Sequence, residues 1–235
     1  MAAVSVVKKE LRQKVQSLLK TLPQESATAQ STIVTNKLFT LPEYLNAKRI
    51  SVFLSMPYGE ISTTRIVQDA LARGKEVFIP YTHNISIQPR VSIMDMLRLE
   101  SMEEFTSLEP DKWGIPSLAK SSIPTKQNCF GGLGVAVNRS RGGALDDVGL
   151  DLIIMPGMAF DTGLKRLGHG KGYYDHFLNR YSTEIEGSSR AGKRPFLVAL
   201  ALKEQIIFPP EEVPVASHDQ PVDAVIVGDG SLIAS

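Results

Sequence analysis

The chain is short of the groups on which several function classes depend. Among its 235 residues there is one cysteine, Cys129. One thiol forms no internal disulfide and no cysteine-rich zinc site. Cys129 lies in a polar, Gly-rich stretch without an obvious histidine partner, so it is not expected to be a nucleophile. A reducing compartment, the cytoplasm, is the expectation. No run of about 18 apolar residues occurs, so no segment is expected to span a membrane. An excess of one charge is missing too: 26 Lys and Arg stand against 25 Asp and Glu, a formal net charge of +1. That balance gives no global pull towards nucleic acid or anionic lipid, and neither is expected as a partner. A basic site for an anionic ligand has to be built locally.

What is present suits a packed enzyme-sized domain. Hydrophobic residues make up 43% and charged residues 22%. That supports a sizeable core and does not match a disordered chain of high net charge. No internal repeat or domain boundary is visible, so residues 1–235 are read as a single domain, and as a monomer.

The N-terminus carries Lys8, Lys9, Arg12, Lys14 and Lys20 against Glu10. In charge this looks like a mitochondrial transit peptide. Val7, Leu11, Val15, Leu18, Leu19 and Leu22 recur at helical spacing, however. A helix over residues 6–22 folded onto the domain is the favoured reading.

Strand and helix signals then alternate. Ile50, Val52 and Leu54 alternate within residues 49–55, a strand, and a loop through Pro57 and Gly59 follows. Thr63 or Thr64 is placed to cap a helix bearing Ile66, Val67, Ala70 and Leu71, which Gly74 ends. Val77 to Ile79 reads as a short buried strand stopped by Pro80, and residues 91–99 as another strand. Residues 152–155, 196–202 and 224–227 are apolar strands, and Tyr174, Phe177, Leu178 and Tyr181 mark a helix face. Residues 117–149 and 182–195 read as surface insertions without chemistry. Apolar strands separated by helices imply parallel crossovers. The predicted fold is a three-layer α/β/α sandwich with a mostly parallel, Rossmann-like sheet. Ligands in such sheets bind beyond the carboxyl ends of strands, which points to the loops after Leu54, Ile79 and Met155.

The third of these loops is the most informative. From Pro156 to Asp175 it holds Gly157, Gly163, Gly168, Gly170 and Gly172, interleaved with Lys165, Arg166, His169 and Lys171. Glycines let backbone N–H groups approach an anion, and the helix start that follows adds positive character. A polyphosphate site needs that combination. A flexible basic loop without ligand is the plain alternative. The loop fits neither the Walker fingerprint nor the dinucleotide one, since Lys165 and Tyr173 occupy positions where glycines are required. Asp175, in the first helical turn, suits the helix dipole or a Mg²⁺ ion equally well by position. Asp219 and Asp223 are candidates for a second carboxylate, though each alone reads as a loop or strand-edge acid.

The block from Arg166 to Asp175, with Pro156-Gly157, Phe160-Asp161 and Gly163, resembles the signature of the 5-formyltetrahydrofolate cyclo-ligase family. So do Lys8, Leu11-Arg12, Phe53 to Met56 followed by Glu60, Trp113 to Pro116, and His218-Asp219 with Asp223. The resemblance spans almost the whole chain in the family's order. It implies ATP as co-substrate, bound by Lys8, Arg12, Arg166, Leu167, Gly168, His169, Gly170, Lys171, Gly172, Tyr173 and Tyr174. Arg12, Arg166 and Lys171 are the residues implied to stabilise the transferring phosphate. It implies 5-formyltetrahydrofolate as substrate, contacted by Leu54, Glu60 and the stretch His169, Gly170, Lys171, Gly172 and Tyr173. Trp113 offers a flat surface for the pterin, although alone it reads as core. Asp175 and Asp219 are the implied Mg²⁺ carboxylates. Glu60 alone would read as a solvated loop acid. His169 stands where relatives often carry arginine or an aromatic residue, and His176 where an arginine often follows the aspartate.

The implied reaction is ATP-dependent closure of 5-formyltetrahydrofolate to 5,10-methenyltetrahydrofolate. It needs positioning and charge stabilisation rather than a protein nucleophile, and no persuasive Ser-His-Asp or Cys-His arrangement is present. Two other classes compete: a phosphate-binding isomerase or acyl-carrier transferase relative, and a folate- or nucleotide-binding protein without turnover.

Overall fold

The computed structural model describes residues 2–85, 91–135, 148–186, 188 and 190–234. Of the two predicted insertions, residues 136–147, 187 and 189 lie outside the described residues.

Three helices come first: α1 (Ala2–Thr21), α2 (Gln24–Leu38) and α3 (Pro42–Asn46). They lead into β1 (Arg49–Val52), α4 (Thr64–Ala72), β2 (Glu76–Ile85) and β3 (Val91–Leu99). Helix α5 (Met102–Ser107) and the short strands β4 (Glu109–Pro110) and β5 (Pro116–Ser117) follow. Then come β6 (Leu152–Met155), β7 (Ala159–Asp161), β8 (Arg166–Leu167) and α6 (Tyr173–Glu184). The chain closes with β9 (Phe196–Ala201), β10 (Ile206–Ile207), β11 (Ala224–Val227) and β12 (Leu232–Ala234).

The main sheet has the order β12-β11-β9-β6-β1-β2-β3. Its five inner strands are parallel, and β12 and β3 are antiparallel edges. Residue parity sorts the core into two faces. Leu152 and Ile154 pack with Ile50, Val52, Val198 and Leu200 against α2 and α4. Ile153 and Met155 pack with Leu197, Ala199 and Val225 against Tyr174, Phe177 and Tyr181 of α6. Strands buried on both faces lose the apolar–polar alternation of a half-exposed sheet, which is why β6 and β11 read as unbroken apolar runs. A third cluster joins Val15 of α1 to Leu167, Ile207 and Val213 around a small sheet of order β10-β7-β8. The basic N-terminal helix is therefore packed on the domain.

Local sequence accounts for the ends of several elements. Gly74, at φ +72°, ends α4. Its N–H bonds to Leu71 O, and the Lys75 N–H to Ala70 O, the paired bonds of a Schellman closure. Thr63 sits at the N-cap position of α4, but its hydroxyl donates to Phe53 O at 2.7 Å instead of capping the helix.

Pro80 does not stop its strand. β2 runs on to Ile85 as a hairpin arm paired with β3. The pairing of β2 with β1 has already ended at Phe78, so Pro80 lies where one side of the strand is open and a missing N–H is tolerated. The loop expected after Ile79 is thus strand. Trp113 is exposed, not core, in a turn held by Asp111 Oδ1, which accepts from Trp113 N at 2.7 Å and Ile115 N at 3.0 Å.

From β1 the chain winds outward through β2 and β3. It then returns to the far side of β1 as β6 and winds away through β9 and β11. The reversal falls between β1 and β6, and the crevice beyond their carboxyl ends is where such sheets take ligands.

Candidate nucleotide and folate site

Two loops leave the sheet at this reversal, residues 53–63 after β1 and residues 156–172 after β6 with its small strands. Gly170 and Gly172 have φ of +96° and +66°, in the region L side chains rarely adopt. A Cβ on Gly170 would stand 3.4 Å from Arg12 Cζ, so α1 approaches the turn closely. Arg12 Nε donates to Gly168 O at 2.8 Å. One helical turn earlier, Lys8 pairs with Asp219. The N-terminal helix thus carries two cations to a turn more than 150 residues away in sequence.

Beneath the turn lies Arg166, buried, with Nη2 2.9 Å from Asp175 Oδ1. Asp175 Oδ1 also accepts from Gln220 N at 3.1 Å, which brings the segment bearing Asp219 alongside α6. Lys171 is exposed and makes no ion pair among the described residues. Lys165 points away, into an exposed pair with Glu212 at 2.5 Å, and does not join the other cations. Leu167 and Leu54 are buried core residues.

Glu60 belongs to the loop after β1 and His169 to the loop after β6. Glu60 Oε2 accepts from Met56 N at 2.9 Å, and Oε1 lies 3.7 Å from His169 Nε2. The Glu60 side chain is 7% exposed. Desolvation pushes its carboxyl up to about 7, against a smaller opposing effect of the Met56 N–H. Desolvation, then Arg166 and Arg12, hold the His169 imidazole below its usual range. Desolvation also lowers Arg12, with Asp219 opposing. For Asp219 desolvation acts upward, but Lys8 and the Ala216 N–H outweigh it and hold the group below the usual range.

Two buried polar atoms here lack partners among the described residues: Arg166 Nε and the Tyr174 hydroxyl. Arg166 sits 5.7 Å from the Tyr174 ring centroid. Burial pushes the Tyr174 phenol up, so it stays a neutral donor. Trp113 lies in a turn whose Gly114 abuts Pro57 of the loop after β1, the loop that bears Glu60.

No group of three or more metal-ligating side chains is found among the described residues. Asp175 and Asp219 nevertheless fit a Mg²⁺ ion of the kind that keeps waters and shares phosphate oxygens. Asp175 Oδ2 makes no bond among the described residues, and Asp219 Oδ1 has only His218 Nε2, at 3.9 Å. Asp223 is elsewhere: it accepts from Leu197 N at 2.7 Å at the start of β9, the opposite end of the strands. Position in sequence did not separate Asp219 from Asp223; the sheet does.

A family model described as the 5-formyltetrahydrofolate cyclo-ligase family matches residues 4–228. The chain belongs to this family. It is similar to the 5-formyltetrahydrofolate cyclo-ligase of Mus musculus, 37% identical over 97% of this chain and 98% of that one. It is also similar to a probable 5-formyltetrahydrofolate cyclo-ligase of Schizosaccharomyces pombe, 34% identical over 95% of this chain and 96% of that one. Among solved structures, the NMR structure of Aquifex aeolicus 5,10-methenyltetrahydrofolate synthetase superposes with a TM-score of 0.65. That pair is 26% identical, covering 97% of this chain and 92% of that one. As a member of the cyclo-ligase family the chain is an enzyme of one-carbon folate metabolism, and the family's fold is the α/β/α layering described above.

One contact was not legible in the sequence. The Tyr173 hydroxyl lies 3.2 Å from Ser92 Oγ on β3, and neither residue type nor spacing signals that pairing.

Proposed function

We propose that this cyclo-ligase family member closes 5-formyltetrahydrofolate to 5,10-methenyltetrahydrofolate with consumption of ATP in a Mg²⁺-dependent reaction, releasing ADP and phosphate. The observation that carries the reading is the turn from Arg166 to Gly172, with Arg12 of α1 folded onto Gly168 O at 2.8 Å. Backbone amides, cations and a helix start converge there, as a triphosphate requires.

In this reading the formyl oxygen attacks the γ-phosphorus, and ADP leaves with the bridging oxygen and its electron pair. The N5 lone pair forms the C=N bond of an iminium phosphate. The N10 lone pair then attacks that carbon, the N10 proton departs, and the C–O bond breaks with phosphate keeping the electrons. Lys8, Arg12, Arg166 and Lys171 hold and neutralise the phosphates, and Arg166 also orients Asp175. Asp175 and Asp219 would hold Mg²⁺, which on binding supplies charge neutralisation at the phosphate oxygens. Glu60 accepts hydrogen bonds from N–H groups of the pterin, and Trp113 lends it a flat surface. The lone buried thiol, Cys129, supports a reducing compartment, the cytoplasm.

The test is incubation with 5-formyltetrahydrofolate and Mg-ATP while methenyl absorbance and ADP are followed together. Equal rates of both signals are expected. Neither signal would point to an isomerase-type relative, and ligand binding without either product to a non-catalytic binder.

A further inference from the structure

Helix α6 is tied to edge strand β3 at two points. At its first residue, the Tyr173 hydroxyl meets Ser92 Oγ at 3.2 Å. Seven residues on, and so on the same side of the helix, Arg180 Nη2 donates to Met94 O at 2.6 Å and to Asp95 Oδ1 at 2.5 Å. The residues just beyond Met94 on β3 are covered by another segment: Cys129 N donates to Met96 O, and Arg98 N to Gln127 O. Arg180 takes the next carbonyl along that edge, Met94 O.

Asp95 is fully buried, with His83 Nε2 2.8 Å away on the neighbouring strand. A buried ion pair is a poor device for stability alone, because apolar residues of similar volume often serve as well. What a buried pair supplies is a fixed geometry between the two elements that bear it. Here one element is α6, which begins directly after Gly172 and carries Asp175 to Arg166. A shift of α6 along β3 moves the turn that precedes it.

We propose that Asp95 and Ser92 are positioning residues for the nucleotide: through Arg180 and Tyr173 they set where α6 starts, and hence where the amides of the Gly168–Gly172 turn point. The assignment rests on the ATP reading above. It extends the site to the edge strand β3.

The test is calorimetric titration of Mg-ATP into the full chain, its Ser92→Ala variant and its Asp95→Asn variant, at a temperature where circular dichroism shows each folded. Loss of the single hydroxyl in Ser92→Ala is expected to weaken Mg-ATP binding about fivefold. Asp95→Asn is expected to weaken it about tenfold or more, since hydrogen bonds to charged groups are the stronger class. If Asp95→Asn does not fold, Ser92→Ala decides alone. A melting temperature that falls while Mg-ATP affinity stays at the wild-type value makes the two ties purely structural and overturns the proposal. Failure of the unaltered chain to bind Mg-ATP is a separate outcome: it removes the nucleotide reading, and this assignment with it.

Discussion

Glu60 Oε1 lies 3.7 Å from His169 Nε2, so one titratable pair closes the crevice between the loop after β1 and the loop after β6. Burial drives both groups towards their neutral forms, the carboxyl upward and the imidazole downward. At neutral pH the site is therefore poised to lose or gain a proton when a ligand with N–H donors or phosphates arrives.

The Glu60 carboxyl goes from 4.5 to about 7 on folding. Between those values the folded state holds the more protons, so this contribution to stability is full below the lower value and falls as pH rises through the upper one. The loss is on the order of 3 kcal/mol. His169 contributes with the opposite sign, fully present above its unfolded value and lost as pH falls through its folded one. Glu60→Gln should gain stability relative to wild type as pH rises from 5 to 8, measured by denaturant melts. Parallel pH profiles would remove the buried-acid account.

Binding should expose the same group. A pterin that donates N–H bonds to Glu60 favours its charged form, so folate binding near pH 6.5 should release protons. Titration calorimetry in buffers of different ionisation enthalpy reads this directly, and Glu60→Gln should abolish the release. Buffer-independent heats for the wild type would count against Glu60 as the pterin acceptor.

Lys171 is exposed and unpaired among the described residues, so Lys171→Ala should leave the melting temperature within the small range of surface substitutions. Turnover should fall roughly 10²-fold, by analogy with loss of one preorganised donor. Arg166→Ala should lose turnover similarly and stability as well, because Asp175 is left without its ion partner. Steady-state rates beside thermal melts separate the two variants.

Asp219→Asn should raise the Mg²⁺ concentration needed for half-maximal activity about tenfold or more, at least the scale of losing an outer-shell partner. Asp223→Asn, at the other end of the strands, should leave it unchanged. Equal effects from both would undo the metal assignment.

Tyr181 offers a test of the fold without the site. Its hydroxyl accepts from Leu150 N at 2.5 Å and lies 3.3 Å from Leu150 O. Tyr181→Phe leaves buried backbone groups unmet and should cost about 1–3 kcal/mol. Wild-type stability by denaturant melt would contradict the burial of that contact.

Much of this was open to reading from local pattern. The strands at residues 152–155 and 224–227 and the face of α6 carry their signal in apolar spacing, because burial on both sheet faces leaves few polar breaks. Helix α2 did not show itself. Its buried face includes Gln30, Ser31 and Thr35, polar groups that conceal an amphipathic stripe. Gln30 Oε1 accepts from Lys203 N at 2.8 Å, and Ser31 Oγ accepts from Ser62 N at 3.0 Å, so tertiary bonds make that burial tolerable. Pro80 misled for the related reason that β2 has left its β1 partner by Phe78, and a strand paired on one side accepts what a strand paired on both sides rejects.

Sequence by itself determined the inventory: a neutral chain, parallel apolar strands, and a glycine-rich turn dense in cations next to a helix start. Those are properties of short windows, where steric freedom and local charge are written residue by residue. The tertiary structure decided which distant groups join that turn. It admitted Lys8, Arg12 and Asp219, turned Lys165 outward, sent Asp223 to the far end of the strands and buried Glu60 beside His169. Proximity between residues far apart in sequence depends on how the layers pack, and no local window encodes it.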